Sequence, residues 1–236
     1  MTRRAQAARG LEPLLAQLQL TDSGFPSGLY TLSHGLEGYV QLGLAGAENP
    51  LELVSDLVHA AGTADASALA LAHRAVRAGD WDRLVDTDRR LHAIKLSGEQ
   101  RTASVRTGRQ VLDVAGPAFG SAPAARLARL VADGAAPGNH AVVVGAVHAG
   151  LGVPVRDAVA SDLYAFAASC AAAAVRLGRL DFRRAQALLR DVRPGLVRAA
   201  GIALDARHPR DLHSSTPAAD IVAAAHERAG ARLFIT

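Results

Sequence analysis

Nine histidines are the first residues able to do chemistry: His34, His59, His73, His92, His140, His148, His208, His213 and His226. A helical metal site sets its ligands three or four residues apart, so that they share a face. No two of the nine have that spacing. His226-Glu227 lacks the second histidine of H-E-x-x-H, and Pro209 and Arg210 put a turn between His208 and His213. No metal site within one chain is expected. Cys170 is the only cysteine. That excludes an internal disulfide framework and a cysteine-cluster zinc site, and it fits a reducing, cytoplasmic setting. Cys170 lies in an apolar stretch, so its thiol reads as packing rather than nucleophile. Lys95 is the only lysine and sits in Ile94-Lys95-Leu96. The Gly-Lys of a phosphate-binding P-loop is therefore absent, and no nucleotide or other cofactor is expected. Asp86 and Asp88, beside Arg89 and Arg90, read as a solvated, charge-paired surface rather than an acid–base dyad. Arg183 and Arg184 lack the interleaved aromatics of a nucleic-acid stacking platform.

Helices must hold whatever these residues do. The chain has 236 residues, half of them hydrophobic and only 4% aromatic, so its core must be mostly Ala, Leu and Val. A net charge of +4 is what an ordinary solvated surface carries and is not by itself a nucleic-acid footprint. Leu29, Leu32, Leu36, Val40 and Gly43 form one apolar stripe, with Ser33, Gly35 and Glu37 on the same helix. Asn49-Pro50-Leu51-Glu52 reads as a helix start, and Ser97-Gly98-Glu99-Gln100 as a capping box whose helix ends before Gly116-Pro117. Asp80, Ser121 and Asp181 read as further N-caps, and Pro154, Pro194 and Pro217 as helix openers. The run Val142-Val143-Val144 is the one strand suspect. The glycines after it stand in the wrong order for a dinucleotide loop, which favours a buried helix at a close crossing. No signal-peptide core follows Arg3, Arg4 and Arg9, and the longest uncharged run, between Asp133 and Arg156, is broken by prolines and glycines. A soluble protein with no membrane role is expected.

One segment is not generic: Leu18-Gln19-Leu20-Thr21-Asp22-Ser23-Gly24-Phe25-Pro26-Ser27-Gly28-Leu29-Tyr30-Thr31-Leu32-Ser33-His34-Gly35-Leu36-Glu37. It resembles the N-terminal signature of the UreF family of urease accessory proteins. Further matches follow in order: Asp88 to Ser97, Gly108-Arg109-Gln110-Val111-Leu112, His140 to Gly145, Leu163-Tyr164-Ala165-Phe166, Ala173 to Gly178, and the terminal Ala231-Arg232-Leu233-Phe234-Ile235-Thr236. Leu29 and Tyr30 stand where Gly and Phe are usual. Leu32 stands where His is common, which puts any histidine role at that position in doubt.

The resemblance implies an all-α, UreF-like single domain of about ten helices over residues 1–236; residues 1–10 and 230–236 read as flexible tails, the second because Arg232, Leu233 and Phe234 follow Gly230 at a terminus. It implies a non-enzymatic scaffold or chaperone that forms a homodimer and links the GTPase UreG and UreD/UreH for nickel insertion into apo-urease. Pro26, Gly28, Tyr30, Ser33, Gly35, Glu37, Arg232, Leu233 and Phe234 are the expected partner-binding residues, and Tyr164 and Phe166 the expected dimer contacts. A helical enzyme with an unrecognised site and a helical DNA-binding regulator are the rival readings. Activity of the isolated chain would separate the first, and salt-dependent duplex binding the second.

Overall fold

A computed structural model describes residues 10–44 and 50–236. The arginines at 3, 4 and 9 and the N-cap expected at Asn49 lie outside the described residues. The described residues are helical throughout, with no strand among them, and form a single domain. In chain order the helices are α1 Leu11–Thr21, α2 Leu36–Gln41, α3 Pro50–Ala61, α4 Ser67–Ala78, α5 Trp81–Ile94 and α6 Gly98–Phe119. After them come α7 Ala122–Ala132, α8 His140–Gly150, α9 Val155–Arg176, α10 Phe182–Asp191, α11 Arg193–Asp205 and α12 Pro217–His226.

The caps read from the sequence close their helices. Asp80 accepts the Arg83 amide at 3.0 Å, Ser97 that of Gln100 at 3.3 Å, and Asp181 that of Arg184 at 2.8 Å. Each satisfies a donor that the first helical turn leaves without a partner, a contribution of about 1 kcal/mol.

The valine run is helical. It lies in α8, where every residue from Ala141 to Ala149 is buried. This central helix packs on α4, which buries Leu69 and Leu71 completely, on α6 and on α7. The approach to α4 is set by Gly145: a Cβ there would stand 2.5 Å from the Leu69 carbonyl oxygen. α9 is the second core helix and supplies Leu163, Ala167 and Cys170. It is also long and apolar enough to cross a membrane, with 44% of its most apolar stretch buried inside the fold. Asp157, Asp162 and Arg176 break up its charge-free runs and hide it from a search for uncharged sequence.

Three local expectations give way. α6 does not stop before Gly116-Pro117 but runs to Phe119. Pro117 falls in the last turns, where the carbonyl it leaves unbonded, on exposed Asp113, can meet water. Asp88 is not on a solvated surface. It is fully buried, and its carboxylate accepts from the Gly138 amide at 2.7 Å, the Asn139 amide at 3.0 Å and Asn139 Nδ2 at 2.7 Å. It thereby anchors the start of α8; Asp86 alone stays exposed. The continuous helix expected from Leu29 to Gly43 is broken in two, which creates the candidate site.

Candidate functional site

After Pro26 the chain makes a short 3-10 turn at Leu29–Thr31, then passes through His34 and Gly35 before α2 begins. His34 has φ 56° and Gly35 φ 91°, so both adopt the left-handed conformation. Gly35 is therefore not a helix-interior residue. It is the junction that restarts the helix, where glycine carries no Cβ penalty. His34 has no such freedom, and a non-glycine residue at positive φ marks local strain.

The break turns Ser33 and Glu37 inward, where they hold the C-terminal tail. Ser33 N donates to the Thr236 carbonyl at 3.0 Å, and the Ser33 hydroxyl also reaches it. Ile235 N donates to the Thr31 carbonyl at 3.1 Å. Glu37 Oε1 accepts from Leu233 N at 2.7 Å, and Oε2 from Phe234 N at 2.9 Å. His226, at the end of α12, lies between two carboxylates: Nε2 is 3.2 Å from Glu37 Oε2, and Nδ1 is 2.8 Å from Glu99 Oε2. Arg232 closes the chain of charges on Glu99.

A cation–aromatic stack seals this junction. The Arg176 guanidinium, at the end of α9, lies 4.0 Å from the Tyr30 ring centroid and 4.2 Å from that of Phe234. It also donates to the Tyr30 carbonyl at 2.6 Å. Phe234 is 4% exposed, whereas Leu233 is 65% and Tyr30 67% exposed. The segment expected to be a flexible tail is thus docked on its own chain. The physical reason is that Glu37 offers a buried acceptor to two backbone amides that would otherwise have none. Of the nine expected partner-binding residues, Ser33, Gly35, Glu37 and Phe234 are buried at this junction, while Tyr30, Arg232 and Leu233 face outward there. Pro26 and Gly28 precede it: Pro26 is exposed, and Gly28 is half-buried against Gln110 and Thr107 of α6. Of the expected dimer contacts, Tyr164 is exposed, while Phe166 turns inward with its ring centroid 4.4 Å from that of His34.

Behind the junction is a chamber of about 180 Å³. Leu32 and His34 from the motif, Thr236 from the tail, His140 and Asp162 line it. A π turn at Gly62–Ala66 between α3 and α4 carries Asp65 to its wall, where Asp65 pairs with Lys95 at 2.7 Å. His34 Nε2, His140 Nδ1 and Thr236 Oγ1 are buried without a hydrogen-bond partner. Burial lowers both histidines to about 4, so the rings are neutral at physiological pH. Asp162 is pushed up to about 7 by burial and, secondarily, by the charge of Asp65. His140 is its nearest basic neighbour, at 3.9 Å, too far for a hydrogen bond. Nothing in the sequence joins positions 34, 140 and 162; only the packing of α9 on α8 and the strained turn does. Among the described residues no three His, Cys, Asp or Glu side chains converge to hold a metal ion. Burial pushes the Cys170 thiol up to about 12, which makes it inert.

Asp162 has a measurable consequence. The unfolded chain ionises this carboxyl near 3.8 and the folded chain near 7. Between those values the unfolded state has released a proton that the folded state keeps, so stability falls as pH rises through the window. Asp162→Asn should therefore stabilise the protein, by at most about 4 kcal/mol, above pH 7. The gain should shrink toward nothing near pH 4. Urea unfolding at pH 4, 5.5 and 8 checks this, and a gain independent of pH would refute it.

Sequence comparison agrees with the motif. A profile of the UreF family matches residues 45–193. The chain is 32% identical over 236 residues to the urease accessory protein UreF 2 of Brucella canis, covering all of this chain and 97% of the relative. It is 31% identical over 226 residues to the urease accessory protein UreF of Trichodesmium erythraeum, covering 93% of this chain and 95% of that one. It is 30% identical over 224 residues to that of Paenarthrobacter aurescens, covering 94% and 97%.

Proposed function

From the premise that this chain belongs to the UreF family of urease accessory proteins, a family of accessory factors and not of enzymes, we propose that it is a docking scaffold for urease maturation. It links UreD/UreH and the GTPase UreG to apo-urease, so that nickel can be inserted, and it works in the cytoplasm as a homodimer. The observation that carries this reading is the composite surface at the motif–tail junction. Tyr30, Arg232 and Leu233 stand outward there on a base fixed by Glu37, His226 and Glu99. Aromatic and arginine side chains on a rigid base are the residue types that dominate binding hot spots. The exposed Tyr164 on α9 is the proposed dimer contact.

The test is co-expression with the other accessory proteins. Tyr30→Ala/Leu233→Asp changes outward groups, so helicity and dimer mass should persist while capture of UreD/UreH falls at least about tenfold, in line with the loss of a hot-spot pair. Deleting residues 230–236 should also abolish capture. If the outward variant still captures UreD/UreH in full, the junction is not the recognition surface. A concentration-independent monomer mass by sedimentation would overturn the dimer.

A further inference from the structure

Next to the junction, the outer face of α6 forms an open groove of about 700 Å³. Val105 lies on its floor, and Arg101, Arg106, Arg109 and His92 stand around it. The groove follows the helix from Gly98 to Asp113, about 22 Å at the α-helical rise. Its cations are only partly engaged. Arg101 donates to the Leu96 carbonyl at 2.9 Å, and also to that of Lys95. Arg106 reaches Thr31 Oγ1 at 2.8 Å, which ties the groove to the motif turn. Arg109 is exposed and pairs with no carboxylate among the described residues. The Arg109 fork, which has no carboxylate partner among the described residues, and the partly engaged Arg101 and Arg106, with Val105 as the apolar side chain between them, match planar carboxylates in charge and in geometry.

We propose that this groove docks an acidic helical segment of a partner protein, with carboxylates three and four residues apart along it. The inference rests on the scaffold reading and names the chemistry of one docking face. Both ends of the groove are negative: Glu227 packs against Ser97 and the Glu99 amide at one end, and Asp113 stands at the other. These acids repel a long polyphosphate that must run on past the groove, but they frame an acidic segment of limited length. The groove also holds no Phe, Tyr or Trp for base stacking, and His92 is the one aromatic ring in its lining. Both features favour a protein carboxylate face over nucleic acid.

The experiment titrates the purified full-length chain with a fluorescent 14-residue helical peptide bearing glutamates at three- and four-residue spacing. Its glutamine counterpart is the control. The glutamate peptide should bind, and salt should weaken it. Arg106→Ala/Arg109→Ala should weaken it at least about tenfold, the loss expected for two charge-assisted contacts. Arg183→Ala/Arg184→Ala, exposed on α10, should change it less than about twofold. All four arginines are exposed, so circular dichroism should show both variants folded like the unaltered chain. No binding, equal binding of the glutamine peptide, equal loss in both variants, or displacement of the peptide by a 20-base-pair duplex would each overturn the proposal. Capture of the accessory partners by the unaltered chain is scored separately. If that capture fails, the scaffold reading fails; if it succeeds and the groove variant captures every partner equally well, the groove alone is wrong.

Discussion

Glu37→Ala should free the C-terminal tail and destabilise the protein, at about 1–3 kcal/mol for each of the two backbone donors it strands. The carboxylate is buried and accepts the Leu233 and Phe234 amides while facing His226 Nε2. Its removal leaves two backbone donors and an imidazole nitrogen without acceptors, in a place where water enters poorly. Phe234 then loses the bonds that hold its ring under Arg176. Hydrogen exchange is the direct measurement. The Leu233 and Phe234 amides should lose their protection, and carboxypeptidase should trim the tail. Glu99→Gln is the control, because it weakens the Arg232 and His226 contacts but leaves both tail amides bonded to Glu37. It should loosen Arg232 without exposing Phe234. If Glu37→Ala keeps full protection at those amides, the tail is held by Phe234 packing and not by the carboxylate.

Asp88→Ala should cost about as much, for a different reason. The three donors that Asp88 satisfies, on Gly138 and Asn139, form the turn into the central helix. Burial raises the ionisation range of Asp88, and those same hydrogen bonds, with a smaller contribution from His92, oppose the rise. Alanine leaves the Gly138 and Asn139 backbone amides buried and unpaired, while Asn139 Nδ2 keeps the Asp88 carbonyl at 3.2 Å; at about 1–3 kcal/mol for each stranded donor, Tm should fall by on the order of 10 °C in a chain of this size. Asp88→Asn keeps one acceptor oxygen but points an amide at the Gly138 or Asn139 donors, so it should fall between wild type and alanine. Differential scanning calorimetry ranks the three. Equal Tm values for wild type and Asp88→Ala would mean that the α5-to-α8 tie does not hold the core.

Helix starts were legible because their determinants are local. Asp80, Ser97, Ser121 and Asp181 each cap a helix three residues downstream, an interaction set by the geometry of one turn. The motif, too, was legible as a string, and so was the family. Its shape was not. The apolar repeat at Leu29, Leu32 and Leu36 satisfies helical periodicity, yet the chain breaks at His34. The contact that stabilises the break is 203 residues away, at Thr236. The tail read as free because Arg232, Leu233 and Phe234 follow a glycine at a terminus. Nothing near them in sequence announces that Glu37 will accept their amides.

The sequence by itself thus determined an all-helical chain, the placement of most helices, and membership of an accessory family. Capping, periodicity and motif spacing act over a few residues and survive in a string. Tertiary structure alone decided that Asp88 is an anchor and not a surface charge, and that Ser33 and Glu37 point inward. It alone brought His34, His140 and Asp162 around one chamber. Burial and pairing are properties of residues brought together from distant positions. Whether a carboxylate is solvated, paired or stranded depends on what packs against it, and an isolated stretch of sequence does not contain that neighbour.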